Sequence, residues 1–405
     1  MIKSLFKNIG PGPLVAAAFI GPGTVTVCTL AGVQNGFTLL WAMLLSILAT
    51  VVLQEMSARV GLVTQNGLSV VVREQITSPF WRGLMVVLLI SAIVIGNAAY
   101  EAGNISGGVL GLETIFGDPM LNLAGFQINY FSLLIGLIAF LLLFLGTYKV
   151  LERTLVVLVI LMSLAFLITA VMTKPDLIQI FKGLFIPNIS EENSLMVIAL
   201  VGTTVVPYNL FLHASLVSEK WKSVSDLKYA RRDTIIAVIV GGMVSICIIV
   251  SAKAIQSTAV SSAADLARSL EPLFGSFAKY VLSLGLFAAG ITSAVTAPLA
   301  AAYVATGCLG WSSDMKSTGF KAIWMFVLGL GVLFSSLGFK SIEIITFAQI
   351  ANGLLLPVIA GFLLWIMNRE SVLGKFRNTR TQNVLGFIVL VFVLFLGLKS
   401  VYKVF

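Results

Sequence analysis

AAFIGPGTVTVCTLAG (residues 17–32) is apolar enough to lie inside a membrane, yet Gly21-Pro22-Gly23 falls at its middle. Proline removes a backbone donor and clashes with the carbonyl one turn back, while glycine loosens the chain. A spanning helix is therefore expected to break there. Unwound backbone at that depth is tolerated only where protein buries it or where it lines a cavity. A second apolar stretch, VGTTVVPYNLFLHASLV (201–217), carries Pro207 near its centre. Two interrupted segments of this kind point to a site built from freed backbone near the bilayer midplane.

The rest of the chain fits a membrane setting. Of its 405 residues 58% are hydrophobic and 11% charged, against roughly 25% charged in a soluble domain. The apolar runs are continuous over about 20 residues and not ten-residue alternations, which selects helices over a β-barrel. The fold class is an all-α polytopic membrane protein. Eleven spans are expected, at 12–33, 38–61, 80–110, 128–147, 152–173, 194–217, 232–255, 275–306, 320–338, 342–367 and 384–403. The gaps at 111–127, 174–193 and 256–274 are loop-sized, so one transmembrane domain over 1–405 accounts for the whole sequence. The breaks fall in spans 1 and 6, which correspond under a five-plus-five division. The first repeat is then 12–173, the second 194–367, with an extra helix at 384–403. Pro298 and Pro357 read as simple kinks.

The net charge of +9 is read as loop charge at the cytoplasmic face. With the N-terminus inside, that face receives 18 of the 26 Lys and Arg, from Lys3 and Lys7 through Lys220–Arg232 to Arg369–Arg380, as the positive-inside bias requires. The localisation expected is a cytoplasmic membrane, multi-pass. No basic stretch is interleaved with aromatics outside the spans, which excludes nucleic acid as a partner. Cys28, Cys247 and Cys308 show neither metal-ligand spacing nor a disulfide framework. A single histidine, His213, and the lack of any nucleophile–base pair argue against an enzyme.

Several segments carry a family resemblance: LQEMSARVGLVTQNGLSVVVRE (53–74), EAGNISGGVLG (101–111), VPYNLFLHASLV (206–217), GLFAAGITSAVTAPLAAAYV (285–304) and AQIANGLLLP (348–357). In order and spacing the chain resembles the Nramp family of divalent metal transporters, over nearly its whole length. The resemblance implies a LeuT-type inverted repeat with broken helices 1 and 6, and a secondary transporter. Family members that carry manganese or iron have Asp-Pro-Gly-Asn at the first break and Met-Pro-His at the second. This chain has Gly21-Pro22-Gly23-Thr24 and Val206-Pro207-Tyr208. Gln349 stands where the family has a glutamine near the site, and the backbone carbonyl ligand of span 6 maps to Thr203. The substrate-binding candidates are thus Gly21, Thr24, Thr203, Val206, Tyr208 and Gln349. The groups left for a metal are the Gly21 and Thr203 carbonyls, Thr24 and Gln349.

A dehydrated divalent ion needs compensating charge, and thioether sulfur selects softer metals. The mapped site offers neither carboxylate nor sulfur, and an uncompensated buried ion is costly. A weakly bound, largely hydrated Mg²⁺ or Mn²⁺ fits this inventory. A different small solute, organic or monovalent, is the alternative. Proton-driven members carry an aspartate where Ala98 stands, but Glu101 and His213 remain, as a proton path, a gate or a static hydrogen-bonded pair. Coupling to protons is accordingly in question. Glu55 and Arg59, four residues apart, read as a structural or gate-forming ion pair. No resident cofactor is expected, with metal entering only as cargo. The partners expected are a small ion or solute and the lipid bilayer, and the protein is expected to be a monomer.

Overall fold

The computed structural model describes residues 10–12, 20–123, 126–146, 149–255, 260 and 262–404. Its helices are α1 (Pro22–Asn35), α2 (Leu40–Thr64) and a short α3 (Leu68–Gln75), then α4 (Pro79–Phe116). After a hairpin come α5 (Tyr130–Leu145), α6 (Lys149–Met172) and the short α7 (Leu177–Phe185). The second half holds α8 (Ser194–Thr204), α9 (Pro207–Lys220), α10 (Leu227–Ala252) and α11 (Ala278–Leu309). It ends with α12 (Thr318–Ser336), α13 (Ser341–Met367) and α14 (Arg380–Val404).

Among the described residues nine helical runs are long and apolar enough to cross a membrane, the interrupted Ser194–Lys220 counting as one. Two of the eleven expected spans are outside that set. Of span 1, residues 13–19 lie outside the described residues. Span 4 is the 16-residue α5, about 24 Å of helix against a hydrocarbon core of about 30 Å.

Three gaps hold more order than loops. The first contains an antiparallel hairpin, β1 (Met120–Leu123) with β2 (Phe126–Asn129), in the register Met120↔Asn129. The second contains α7, whose Asp176 side chain caps the first turn. The third contains short helical turns from Ala263–Ala267 to Glu271–Phe274, opened by a Ser262–Asp265 capping box. Span 7 begins earlier than expected, at Leu227 instead of 232, because a Ser223-capped turn leads directly into the helix. Helices α11 and α13 run through Pro298 and Pro357 without ending.

Helix α4 is the centre of the molecule and packs most extensively against α11, α13 and α12. Small residues permit that: Gly108 and Gly290 meet backbone to backbone, and a Cβ at Gly290 would lie 2.7 Å from the Gly108 Cα. Without a hydrophobic drive between helices in lipid, such close approach is how they hold together. A π-helical turn at Ser91–Ile95 interrupts α4 near mid-length. Large side chains such as Val171 (73% exposed) and Phe387 (63%) cover the outside. An apolar outer surface is what a lipid-facing wall requires. At one end Gly10-Pro11-Gly12 is tied down: the Gly10 and Gly12 amides donate to the two carboxylate oxygens of Asp233 on α10, at 2.9 and 2.7 Å.

Candidate functional site

Two helices begin inside the protein on a proline. Helix α1 starts at Pro22 after the extended Gly21, and α9 starts at Pro207 after the extended Val206. Proline suits the first helical position because its missing N–H has no partner there anyway. Helix α8 ends at Thr204, and Val205 leaves the helical region with φ −94 and ψ 75. Residues 205–206 are thus a two-residue interruption between two apolar helices; the Val205 amide still bonds the Val201 carbonyl at 2.8 Å, and Pro207 has no N–H to offer the Thr203 carbonyl.

The start of α1 meets the last turn of α8. Thr24 Oγ1 lies 2.7 Å from Thr203 Oγ1 and 3.5 Å from the Thr203 carbonyl. Gln349 of α13 crosses above both helices. A Cβ at Gly23 would overlap the Gln349 side-chain amide, and one at Gly202 would overlap the Gln349 carbonyl. Glycine at both positions is what lets α1, α8 and α13 converge. Of the six mapped substrate residues, Thr24, Thr203 and Gln349 therefore sit together, with Gly21 at the start of α1. Val206 caps α9 with its side chain buried, and the Tyr208 ring meets Tyr100 of α4 edge-on at 5.3 Å. All of these residues are buried.

The chemistry around this crossing is neutral. Gln349 Oε1, both amide atoms of Asn209 and Asn352 Nδ2 are buried without a hydrogen-bond partner among the described residues. Leaving such groups unpaired costs about 1–3 kcal/mol each, so a cluster of them marks a place built to hold something polar. Among the described residues no group of three or more His, Cys, Asp or Glu could hold a metal ion. A bare dication has no carboxylate here. One sulfur does approach: Thr204 Oγ1 lies 3.5 Å from Met43 Sδ of α2. Cys28, one turn beyond Thr24, is fully buried among apolar neighbours.

Glu101 and His213 are not joined by a hydrogen bond. Asn104 donates to Glu101 Oε2 at 3.3 Å, while Glu101 Oε1 has no partner among the described residues. The Glu101 side chain starts out against α12, where a Cβ on Gly331 would overlap its Cγ and Cβ. His213 pairs elsewhere, Nδ1 with Gln54 Oε1 at 2.6 Å and Nε2 with Thr234 Oγ1 at 3.3 Å. The static Glu101–His213 pair is therefore replaced by two separate arrangements on different helices.

Glu55 and Arg59 form the expected ion pair at 2.9 Å, but as part of a larger network. Glu55 also takes Arg231 at 2.6 Å. Arg59 donates to the Phe376 carbonyl (3.0 Å), Gln382 (3.2 Å) and Asn378 (2.8 Å). The Glu55 carboxylate thus ties α2 to α10 through Arg231, and the buried Arg59 guanidinium ties α2 to the segment before α14 and to its first turn. Met43, Gln54, Asn378 and Asp233 escaped sequence reading. Asp233 alone had a signal, an acid inside an apolar span with a Gly-Pro-Gly elsewhere to receive.

Nine apolar helical runs packed around a buried pair of helix starts define, among the described residues, a polytopic helical membrane protein. The Nramp family pattern, natural resistance-associated macrophage protein-like, matches residues 12–403. The chain belongs to that family. It is 27% identical over 423 residues to the divalent metal cation transporter MntH of Mesorhizobium japonicum, covering 99% of this chain and 89% of that one. It is 25% identical over 417 residues to the natural resistance-associated macrophage protein 2 homolog of Dictyostelium discoideum, covering 99% and 64%. In structure it is similar to the Eremococcus coleocola manganese transporter, with TM-score 0.77 at 20% identity over 99% of this chain and 87% of that one. A nucleobase-cation-symport-1 family transporter in a closed conformation gives TM-score 0.51 at 13% identity, over 97% and 93%. At those identities the two structures speak to fold alone. The MntH relative is named as a transporter, in agreement with the expectation of a protein that is not an enzyme.

Proposed function

We propose that this chain moves an inorganic cation, divalent and weakly held, across a cytoplasmic membrane by alternating access. The reading takes eleven spans as two inverted repeats, 12–173 and 194–367, with 384–403 added, and the N-terminus in the cytoplasm. The site on this reading is the crossing of α1, α8 and α13, where Thr24, Thr203 and Gln349 meet, extended by Gly21 before α1 and by Val206 and Tyr208 at the start of α9. The observation that carries it is the meeting of Thr24 at the start of α1, Thr203 in the last turn of α8 and Gln349 of α13, in a family with relatives named divalent metal cation transporters. The ion keeps most of its water, as Mg²⁺ does. Its bound waters present hydrogens outward, and Gln349 Oε1, Asn209 Oδ1 and freed carbonyls accept them. Ala98 in place of the family's aspartate, with Glu101 and His213 bonded apart, favours a uniporter over proton-driven transport.

A second reading has a specific observation behind it. Asn209 Nδ2 and Asn352 Nδ2 are donors without partners, and a small solute with acceptor oxygens would satisfy them directly. Flux into liposomes with Mg²⁺, Mn²⁺ and Ca²⁺, with and without a pH gradient, separates the two. The cation reading expects flux of at least one ion that a pH gradient leaves unchanged. Absence of flux for all three overturns it in favour of the solute.

A further inference from the structure

The charged end of the molecule holds a cation that the transport site does not use. Arg369 follows α13, is exposed, and forms no ion pair or side-chain hydrogen bond among the described residues. Its guanidinium lies over the Trp365 ring at 4.6 Å. Two apolar grooves leave this point on opposite sides of α13. One, of about 770 Å³, runs between α13 and α14 along Leu364, Val384, Phe387 and Ile388. The other, of about 480 Å³, lies between α13 and the start of α4, along Trp81, Leu84, Leu88 and Phe362. It continues as a cavity of about 430 Å³ past Gly361 to Val358 and Pro357. Arg369 and Trp365 line both of the first two grooves.

The dimensions match a two-chain amphiphile. From Arg369 to Pro357 is twelve residues, about 18 Å of helix, against about 15 Å for one leaflet of a 30 Å core. The polar rim is built. Asn368 and Asn383 exchange hydrogen bonds at 3.0 and 2.6 Å, and Asn383 accepts from Asn378, the residue that holds Arg59. Arg82 donates through Nε to the carbonyl of Ile76, a residue that lines the second groove, at 2.9 Å. Across 73–82 and 368–380 the cations Arg73, Arg82, Arg369, Lys375, Arg377 and Arg380 face two acids, Glu74 and Glu370. Arg377 takes Glu370 at 2.5 Å. Basic pockets between spanning helices on the cytoplasmic side select anionic head groups.

We propose that this is a specific binding site for an anionic phospholipid. The phosphate pairs with Arg369, and one acyl chain lies in each groove. The head group then sits beside the polar chain Asn368–Asn383–Asn378–Arg59, so the lipid braces the network that joins α2, α10 and α14.

The test is native mass spectrometry of the full chain released from vesicles of equal phosphatidylglycerol and phosphatidylcholine. The wild-type chain is expected to retain phosphatidylglycerol about fivefold over phosphatidylcholine, the Boltzmann factor of the ~1 kcal/mol that one basic side chain contributes at an anionic surface. Arg369→Gln, a change at an exposed side chain, is expected to abolish that preference. Gly361→Leu, whose new side chain enters open space in the groove, is expected to lower retention of both lipids. Equal retention of the two lipids by the wild-type chain overturns the proposal, as does an undiminished preference in Arg369→Gln. Inorganic phosphate that displaces the lipid's effect on thermal stability would also overturn it, by showing that the acyl chains contribute nothing.

Discussion

Glu55 holds two guanidinium groups, and the shorter contact should be the weaker one. Arg231 approaches to 2.6 Å and Arg59 to 2.9 Å. The Arg231 side chain is 38% exposed, the Arg59 side chain 2%. Water and salt screen the first pair, which places it at about 0–1 kcal/mol. Arg59 has no such screening, and removing the partner of a buried charge costs about 3–5 kcal/mol. Phe376, Gln382 and Asn378 still accept from Arg59 when Glu55 is changed, so the expected cost sits at about 3 kcal/mol, the lower end. Two double-mutant cycles measure the difference. One combines Glu55→Gln with Arg59→Gln, the other Glu55→Gln with Arg231→Gln, both read by reversible unfolding in mixed micelles. The coupling expected is about 2–3 kcal/mol for the first and below about 1 kcal/mol for the second. Added salt should lower only the second. Equal couplings, or a larger one for Arg231, would show that distance and not burial sets the strength of this network.

Other substitutions probe the crossing and its anchors. Gly202→Ala drives a methyl into the Gln349 carbonyl, which is backbone and cannot turn away, so a loss of about 1–3 kcal/mol is expected; unchanged unfolding would refute the close packing of α8 on α13. Gly23→Ala meets only the end of the Gln349 side chain, so the protein should fold while substrate affinity in an equilibrium binding assay falls, and an unaltered affinity would remove Gln349 from the site. Asp233→Asn forfeits one of two charge-assisted bonds to Gly10 and Gly12, worth about 1.5–3 kcal/mol, and should speed limited proteolysis near the N-terminus; equal cleavage rates would show that the strap bears no load. Gly21→Asp with Thr24→Asn and Val206→Met restores a carboxylate, an amide and a sulfur at the breaks and should create Mn²⁺ binding by calorimetry. No heat of binding would mean that the backbone around the crossing has diverged along with its side chains.

How much of this was legible in the sequence depends on whether the signal was local. Pro22 and Pro207 announce helix starts because proline acts on its own residue and one turn back, and both starts fall on those residues. The Glu55–Arg59 pair was legible for the same reason, being one turn apart on one helix. What Arg59 does with its other donors was not, since Phe376, Asn378 and Gln382 lie more than three hundred residues away. His213 was visible as the single histidine, but its partners Gln54 and Thr234 come from two other helices, and only packing selects them. The hairpin at Met120–Asn129 and helix α7 were read as loops because segments of four to nine residues fall below the length at which periodicity separates from noise.

The helix starts and the side chains beside them are encoded separately. A helix start at depth needs a proline at its first position and an extended residue before it, conditions that Gly21-Pro22 and Val206-Pro207 both meet. None of those conditions refers to the side chain that faces the cargo. Convergence of the helices needs only glycine at positions 23 and 202, where Gln349 passes. On the proposed reading, positions 21 and 206 can vary without touching that convergence, whereas Thr24 also holds α1 to α8 through Thr203. A glycine in place of an acid at position 21 adds space and removes charge together. On the proposed reading those changes act in one direction: they suit a cargo that is larger and arrives with its charge already screened, which a hydrated cation satisfies and a bare one does not.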